Sequence, residues 1–352
     1  MFGTYLPDDV TILLKDISGL VTPLDTQTRE RNIQSGIHYS EMLPIEYEPS
    51  ERYMRIYRKA LAEYSAITAD SVACAAEKIW AAKGHNVVLV SLARAGTSIG
   101  VLLKRYLKKK YHVDVAHYTI SIIRGKGIDQ NAMRYILTRH RAQDIQFVDG
   151  WVGKGAIQRE LDSAIRSFPG VNPNLAVLSD PAHIAGICGT HEDFLIASSC
   201  LNSVVSGLLS RTFLREDIIG EKDFHGAVFY RELLDKDRTY EFIETVEQQF
   251  CFDSFDPSDV ASAENDSVGL TETEQIALAF GISDINLVKP GIGETTRVLL
   301  RRVPWKILVY SMDDEKHLGH IYQLAKEKGV SLVQYPLMHY KACGLIRSMA
   351  DQ

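Results

Sequence analysis

The chain has 352 residues, 45% hydrophobic and 24% charged, with a formal net charge of −6. This is ordinary for a folded protein of about two domains, and no apolar run reaches the ~20 residues of a membrane-spanning helix. Five cysteines, an odd number, argue against a disulfide scaffold, and the negative balance supplies no overall field for nucleic acid, so any RNA or phosphate contact must be local.

Residues 1–50 read as irregular, with turn signals at Pro7, Asp8, Asp9 and Pro23. Asp8 and Asp9 stand where a secretory signal carries basic residues, so a cytoplasmic location is expected. Residues 50–82 have helical apolar spacing, read as two helices, one capped by Ser50 and one by Asp70 or Ser71. Strands and helices then alternate: strands at 86–92, 113–120, 145–148 and 175–178, helices at 98–110, 129–140 and 154–168. That rhythm predicts an α/β fold with a parallel sheet covered by helices on both faces. In such a sheet ligands bind at the carboxyl ends of the strands. Residues 197–209 have the small, apolar pattern of a buried helix. Composition shifts to Asp, Ser, Pro and Ala at 252–266, which reads as a linker. Beyond it, helices at 271–280, 294–302 and 315–328 and strands at 306–310 and 330–335 make a small second α/β module. The expected division is 1–250, with 1–85 irregular and helical, then a linker region at 251–284 and a module at 285–352.

Three loops after strands carry phosphate-type chemistry. Asp149 and Gly150 end one strand, and Gly153, Lys154, Gly155 and Ala156 open a helix. Backbone N–H groups there can cradle a phosphate, Lys154 adds a charge, and Asp149 can bond ribose hydroxyls. Ala93, Arg94, Gly96 and Thr97 end an earlier strand, with Arg94 suited to clamp a pyrophosphate. Arg124 and Lys126, among Gly125 and Gly127, form a polar loop suited to a mobile anion-binding lid.

In this order the loops resemble those of type I phosphoribosyltransferases. The stretches His117 to Asp129, Val148 to Ile157 and Ser199 to Leu208 are more closely similar to the phosphoribosyltransferase-like proteins of tellurium-resistance (Ter) gene clusters. That family also goes under the description cysteine protease StiP. The resemblance implies phosphoribosyl pyrophosphate as substrate, with a substrate-bound Mg²⁺ near Asp149. Arg94, Arg124 and Lys126 would neutralise the pyrophosphate and residues 153–156 would hold the 5-phosphate. The product would be a nucleoside-like metabolite of a stress-response pathway with ATP-grasp and HAD-type proteins as partners; dimers are common among relatives of the fold. The sequence departs from the transferase pattern in having Gly150 for a second acid and Lys154-Gly155 for Thr-Gly. The tail resembles the Pelota/L7Ae RNA-binding group at 291–297, where Glu294, Thr296 and Arg297 match and Gly293 replaces an Asn. With Arg301 nearby, an RNA surface is expected there.

Two other readings compete. One is a non-catalytic nucleotide- and RNA-binding protein. The other is a cysteine peptidase, which needs a thiolate near a histidine. Cys188 with His191 is the preferred pair, ahead of Cys200 with Asn202. His183, Cys188, His191 and Cys200 match no common zinc spacing.

Overall fold

A run such as Val88 to Leu92 is apolar almost throughout, so a strand made from it must be covered on both faces. The computed structural model, which describes residues 2–46, 48–252 and 268–346, places that run at the centre of the main sheet. The first part of the chain contains β1 (Thr11–Ile12), β2 (Lys15–Asp16), α1 (Thr26–Gln34), α2 (Glu51–Lys83), β3 (Val88–Ala93), α3 (Ala95–Tyr111), β4 (Ala116–Ile123), β5 (Gly127–Ile128) and α4 (Gln130–Leu137). It continues with β6 (Ile145–Val148), α5 (Ala156–Ile165), β7 (Leu175–Ser179), β8 (Ile187–Thr190), β9 (Gly226–Ala227) and α6 (Thr239–Glu247). The sheet order is β1-β4-β3-β6-β7-β8, all parallel, with β5 antiparallel on β4.

Alternation along β3 sorts the two cores. Val88, Val90 and Leu92 meet Met133, Ile136 and Leu161 of α4 and α5, whereas Leu89 meets the layer containing α2, α3 and α6. The mixed α/β architecture with a parallel sheet is therefore as expected.

Local differences have identifiable causes. α2 is one helix, because Ser71 and Thr68 do not cap: their hydroxyls donate to the carbonyls of Ile67 and Tyr64 at 2.7 and 2.6 Å. The surrounding Ala69, Ala73, Ala75 and Ala76 favour helix and let α2 lie close on β8. Residues 197–209 form two short 3₁₀ turns, Ala197–Cys200 and Ser203–Val205, instead of a helix. Gly207 at φ +69 turns the chain there, and the Tyr5 ring fills the space a side chain would need.

The second part contains α7 (Val268–Ala279), β10 (Val288–Pro290), α8 (Ile292–Arg301), β11 (Pro304–Val309), α9 (Glu315–Lys328), β12 (Ser331–Gln334) and β13 (Ala342–Ile346). Its sheet order is β10-β13-β11-β12. α7 occupies part of the expected linker region because Ile276 and Ala277 bury one side of it, while residues 253–267 of that linker lie outside the described residues. Leu299 and Leu300 of α8 and Leu318 and Ile321 of α9 join the α2 core. Tyr64 donates to the Lys316 carbonyl at 2.8 Å and Tyr53 to that of Leu300, so α2 carries both parts. Among the described residues no helix is long and apolar enough to cross a membrane.

Candidate active site beside the last sheet strands

The three phosphate-type loops do lie at the carboxyl ends of β3, β4 and β6, and their cations and hairpin amides contact protein acceptors. Lys154 is 8% exposed, and its ammonium donates to the carbonyls of Val288, at 3.0 Å, and Ile285. Burial, with Lys289 and Arg124 nearby, pushes it down to about 8. Gly155, at φ +77, caps α5, and Ile184 occupies the space beside its Cα, ahead of Ala156. The Gly153 carbonyl accepts from Tyr340 at 2.6 Å, which seats the second part of the chain on this loop. Asp149 bonds the N–H of Gly150 at 2.8 Å. Burial raises its carboxyl to about 7, against the pull of Arg297.

The other loops are also closed. Arg94 donates to the Leu209 carbonyl at 3.1 Å and Asn202 Oδ1 at 2.8 Å. Gly96 lets α3 press against the backbone of Val148 and Asp149, and buried Thr97 shares a 2.8 Å hydroxyl contact with Thr119. The expected lid is a clamped hairpin. The N–H groups of Gly125 and Gly127 donate to Glu160 at 2.7 and 2.9 Å, so its carboxylate is the anion bound there. Arg124 reaches Asn286 at 3.0 Å, and Lys126 lies 3.7 Å from Glu41.

The expected RNA surface at the start of α8 is turned inward. Asp193 accepts from the Ile292 N–H at 3.0 Å and that of Lys341 at 2.8 Å, so a buried carboxylate occupies the helix N-terminus. Thr296 is fully buried and bonds the Ile292 carbonyl and His320. Arg297 pairs with Glu294 at 3.2 Å and lies over the Trp151 ring. The side chain of Arg301 lies outside the described residues.

A different constellation assembles beside β7 and β8. β8 is a strand the sequence reading missed, since four residues containing glycine carry little strand signal. Its register sets Cys188 opposite Val177 and Thr190 opposite Ser179. Asp180 leaves the end of β7 and His191 the end of β8, so parallel pairing brings them together. Cys188 Sγ lies 3.5 Å from His191 Nε2. His191 Nδ1 is 2.7 Å from the Asp180 carbonyl oxygen. A carbonyl only accepts, so Nδ1 carries the hydrogen, and in the neutral ring Nε2 is the open acceptor facing sulfur. The His183 ring stacks on that of His191 with centroids 3.8 Å apart. Asp180 Oδ2 accepts from Ile184 and Ala185, each at 2.8 Å, while its buried Oδ1 has no hydrogen-bond partner. The Lys78 ammonium donates to the Cys188 carbonyl at 2.7 Å, fixing the strand from the opposite layer. Burial pushes the Cys188 thiol up to about 11, which favours the neutral S–H form at rest. This pair can perform base-assisted thiol attack. Cys200, the weaker sequence candidate, is fully buried in the α2 core, and Asn202 is engaged by Arg94.

Comparison with known proteins addresses the chemistry. Residues 3–247 match the family described as tellurite-like stress resistance cysteine protease StiP. Residues 267–348 match the PELOTA RNA binding domain. A protein of Acinetobacter baylyi named cysteine protease StiP is 35% identical over 99% of this chain and 94% of its own length. Both protease descriptions overturn the expected transfer from phosphoribosyl pyrophosphate and the pentosyltransferase class. In the structure Lys154, the hairpin amides and Arg94 are engaged within the protein.

Proposed function

We infer the function from one premise: the chain belongs to the family described as tellurite-like stress resistance cysteine protease StiP. On that premise it is a cysteine peptidase with Cys188 as nucleophile and His191 as base. The observation that carries the assignment is the 3.5 Å approach of Cys188 Sγ to His191 Nε2, with Nδ1 held by the Asp180 carbonyl. In the reaction, Nε2 takes the thiol proton as sulfur bonds to the peptide carbonyl carbon. The C–N bond then breaks and the amine leaves with that proton. Water, giving its proton to Nε2, cleaves the thioester, and the proton returns to sulfur. Burial raises the thiol, so the reaction is written from the S–H form. Nothing in it calls on the Mg²⁺ or phosphoribosyl pyrophosphate expected from the loops.

The test is hydrolysis of denatured casein and self-cleavage by the full chain. Cys188→Ala should lose on the order of 10³-fold or more in rate, and His191→Ala should fall comparably. Cys200→Ala should retain activity. A Cys188→Ala protein that cleaves at the parental rate removes the assignment.

Two finer statements accompany this reading. The parallel strand order with loops at its carboxyl ends supports a phosphoribosyltransferase-like scaffold as architecture alone. The match at 267–348 supports RNA binding by the C-terminal module. With Asp193 on the α8 N-terminus, that contact would use another face or follow release of α8.

A further inference from the structure

The thiol and imidazole share their corner with a third donor. Asp180, Cys188 and His191 each offer a ligand atom, and the three atoms lie within 4.8 Å of one another. Asp180 is fully buried, yet its Oδ1 has no hydrogen-bond partner. A buried carboxylate oxygen without a donor is costly, and a cation is one of the few groups that relieves it. We propose that Asp180, Cys188 and His191 form a binding site for a borderline-soft divalent cation of the zinc class. The donor set of one thiolate, one imidazole nitrogen and one carboxylate suits such an ion, whereas magnesium and calcium prefer oxygen alone. Tetrahedral sulfur and nitrogen ligands, about 2.3 and 2.0 Å from zinc, stand roughly 3.6 Å apart. Cys188 Sγ and His191 Nε2 are 3.5 Å apart.

The surrounding groups support the same assignment. His191 Nδ1 donates to the Asp180 carbonyl, a common orienting bond for a metal-binding histidine, leaving Nε2 as donor to the ion. The N–H groups of Ile184 and Ala185 hold the other oxygen of Asp180. Three protein ligands leave a fourth position for water. On binding, the Cys188 S–H bond breaks, sulfur bonds to the metal and the proton passes to solvent. The consequence for activity rests on the peptidase reading. The ion takes the sulfur and nitrogen that serve as nucleophile and base, so it holds the enzyme inactive until removed.

The reduced, chelator-stripped full chain is titrated with Co²⁺, and the visible d–d bands and the near-ultraviolet thiolate-to-cobalt charge-transfer band are followed. One equivalent should saturate both in the parental protein. Cys188→Ser should lose the charge-transfer band, and Asp180→Asn and His191→Ala should bind at least about tenfold more weakly, with circular dichroism showing each folded. Absence of bands in the parental chain, or bands unchanged in Cys188→Ser, overturns the site. Casein hydrolysis by the stripped protein is measured in parallel. Saturable bands without hydrolysis would sink the peptidase reading and leave the metal site standing; hydrolysis without bands would do the reverse.

Discussion

Asp149 shows how one carboxyl can change meaning between sequence and fold. At a strand end beside glycines it reads as a sugar-binding acid. In the structure it bonds the Gly150 N–H, and burial raises it to about 7. The unfolded chain releases that proton near 3.9, so between these values the folded state holds more protons. The stability this adds is present below about 4 and is lost as pH rises through about 7. Asp149→Asn should flatten this response. Its melting temperature should change less than that of the parental protein between roughly pH 5 and pH 8. Equal slopes would show that Asp149 titrates normally. Cys188 and His191 were paired from residue type alone, and the structure brings Sγ and Nε2 to 3.5 Å. Asp180 was missed as their companion because no local pattern links the end of β7 to β8.

At the scale of elements, the β4–β5 hairpin and α5 form a unit. A glycine-rich, basic loop carries the local signature of a mobile anion binder, and its amides do bind an anion, the Glu160 carboxylate. Glu160→Ala should leave two backbone N–H groups without that acceptor; because water can reach them, the local cost is about 0.5–1.5 kcal/mol. Hydrogen exchange at Gly125 and Gly127 should accelerate, and trypsin should cut faster after Arg124 or Lys126. Unchanged protection at both glycines would show that Glu160 does not hold the hairpin. The N-terminal signal of α2 was read correctly at Ser50, whose Oγ accepts from the Tyr53 N–H at 3.4 Å. Its supposed interruption was not real, because hydroxyls that read as caps bond their own helix when packing continues it.

Across the whole molecule, the two parts are joined through a shared core, several hydrogen bonds and a buried carboxylate. Asp193, 5% exposed, serves the N–H groups of both Ile292 and Lys341 from across the chain. Removing a buried charged acceptor leaves its donors unsatisfied, at a cost of roughly 3 kcal/mol. Asp193→Ala should therefore loosen residues 268–346 first. Calorimetry should resolve a lower-temperature transition ahead of the main one, where the parental chain shows closer coupling. A single transition displaced as a whole would mean that the remaining contacts, the shared α2 core among them, keep the parts coupled without Asp193.

Periodicity and β-branched runs determined the helices, the central strands and the alternation that makes a parallel α/β sheet, because those signals are local and repeat along the chain. Cys188 and His191 were named as a possible pair from their residue types, without a local signature to single them out. Which charges remain available for ligands was decided only by tertiary structure. Lys154, Arg94, Glu160 and Asp193 each find a partner far away in sequence. Asp180, Cys188 and His191 are close in sequence, yet their meeting was also decided by tertiary structure. It depends on the register of β7 against β8, and spacing along the chain does not say which residues parallel pairing sets side by side.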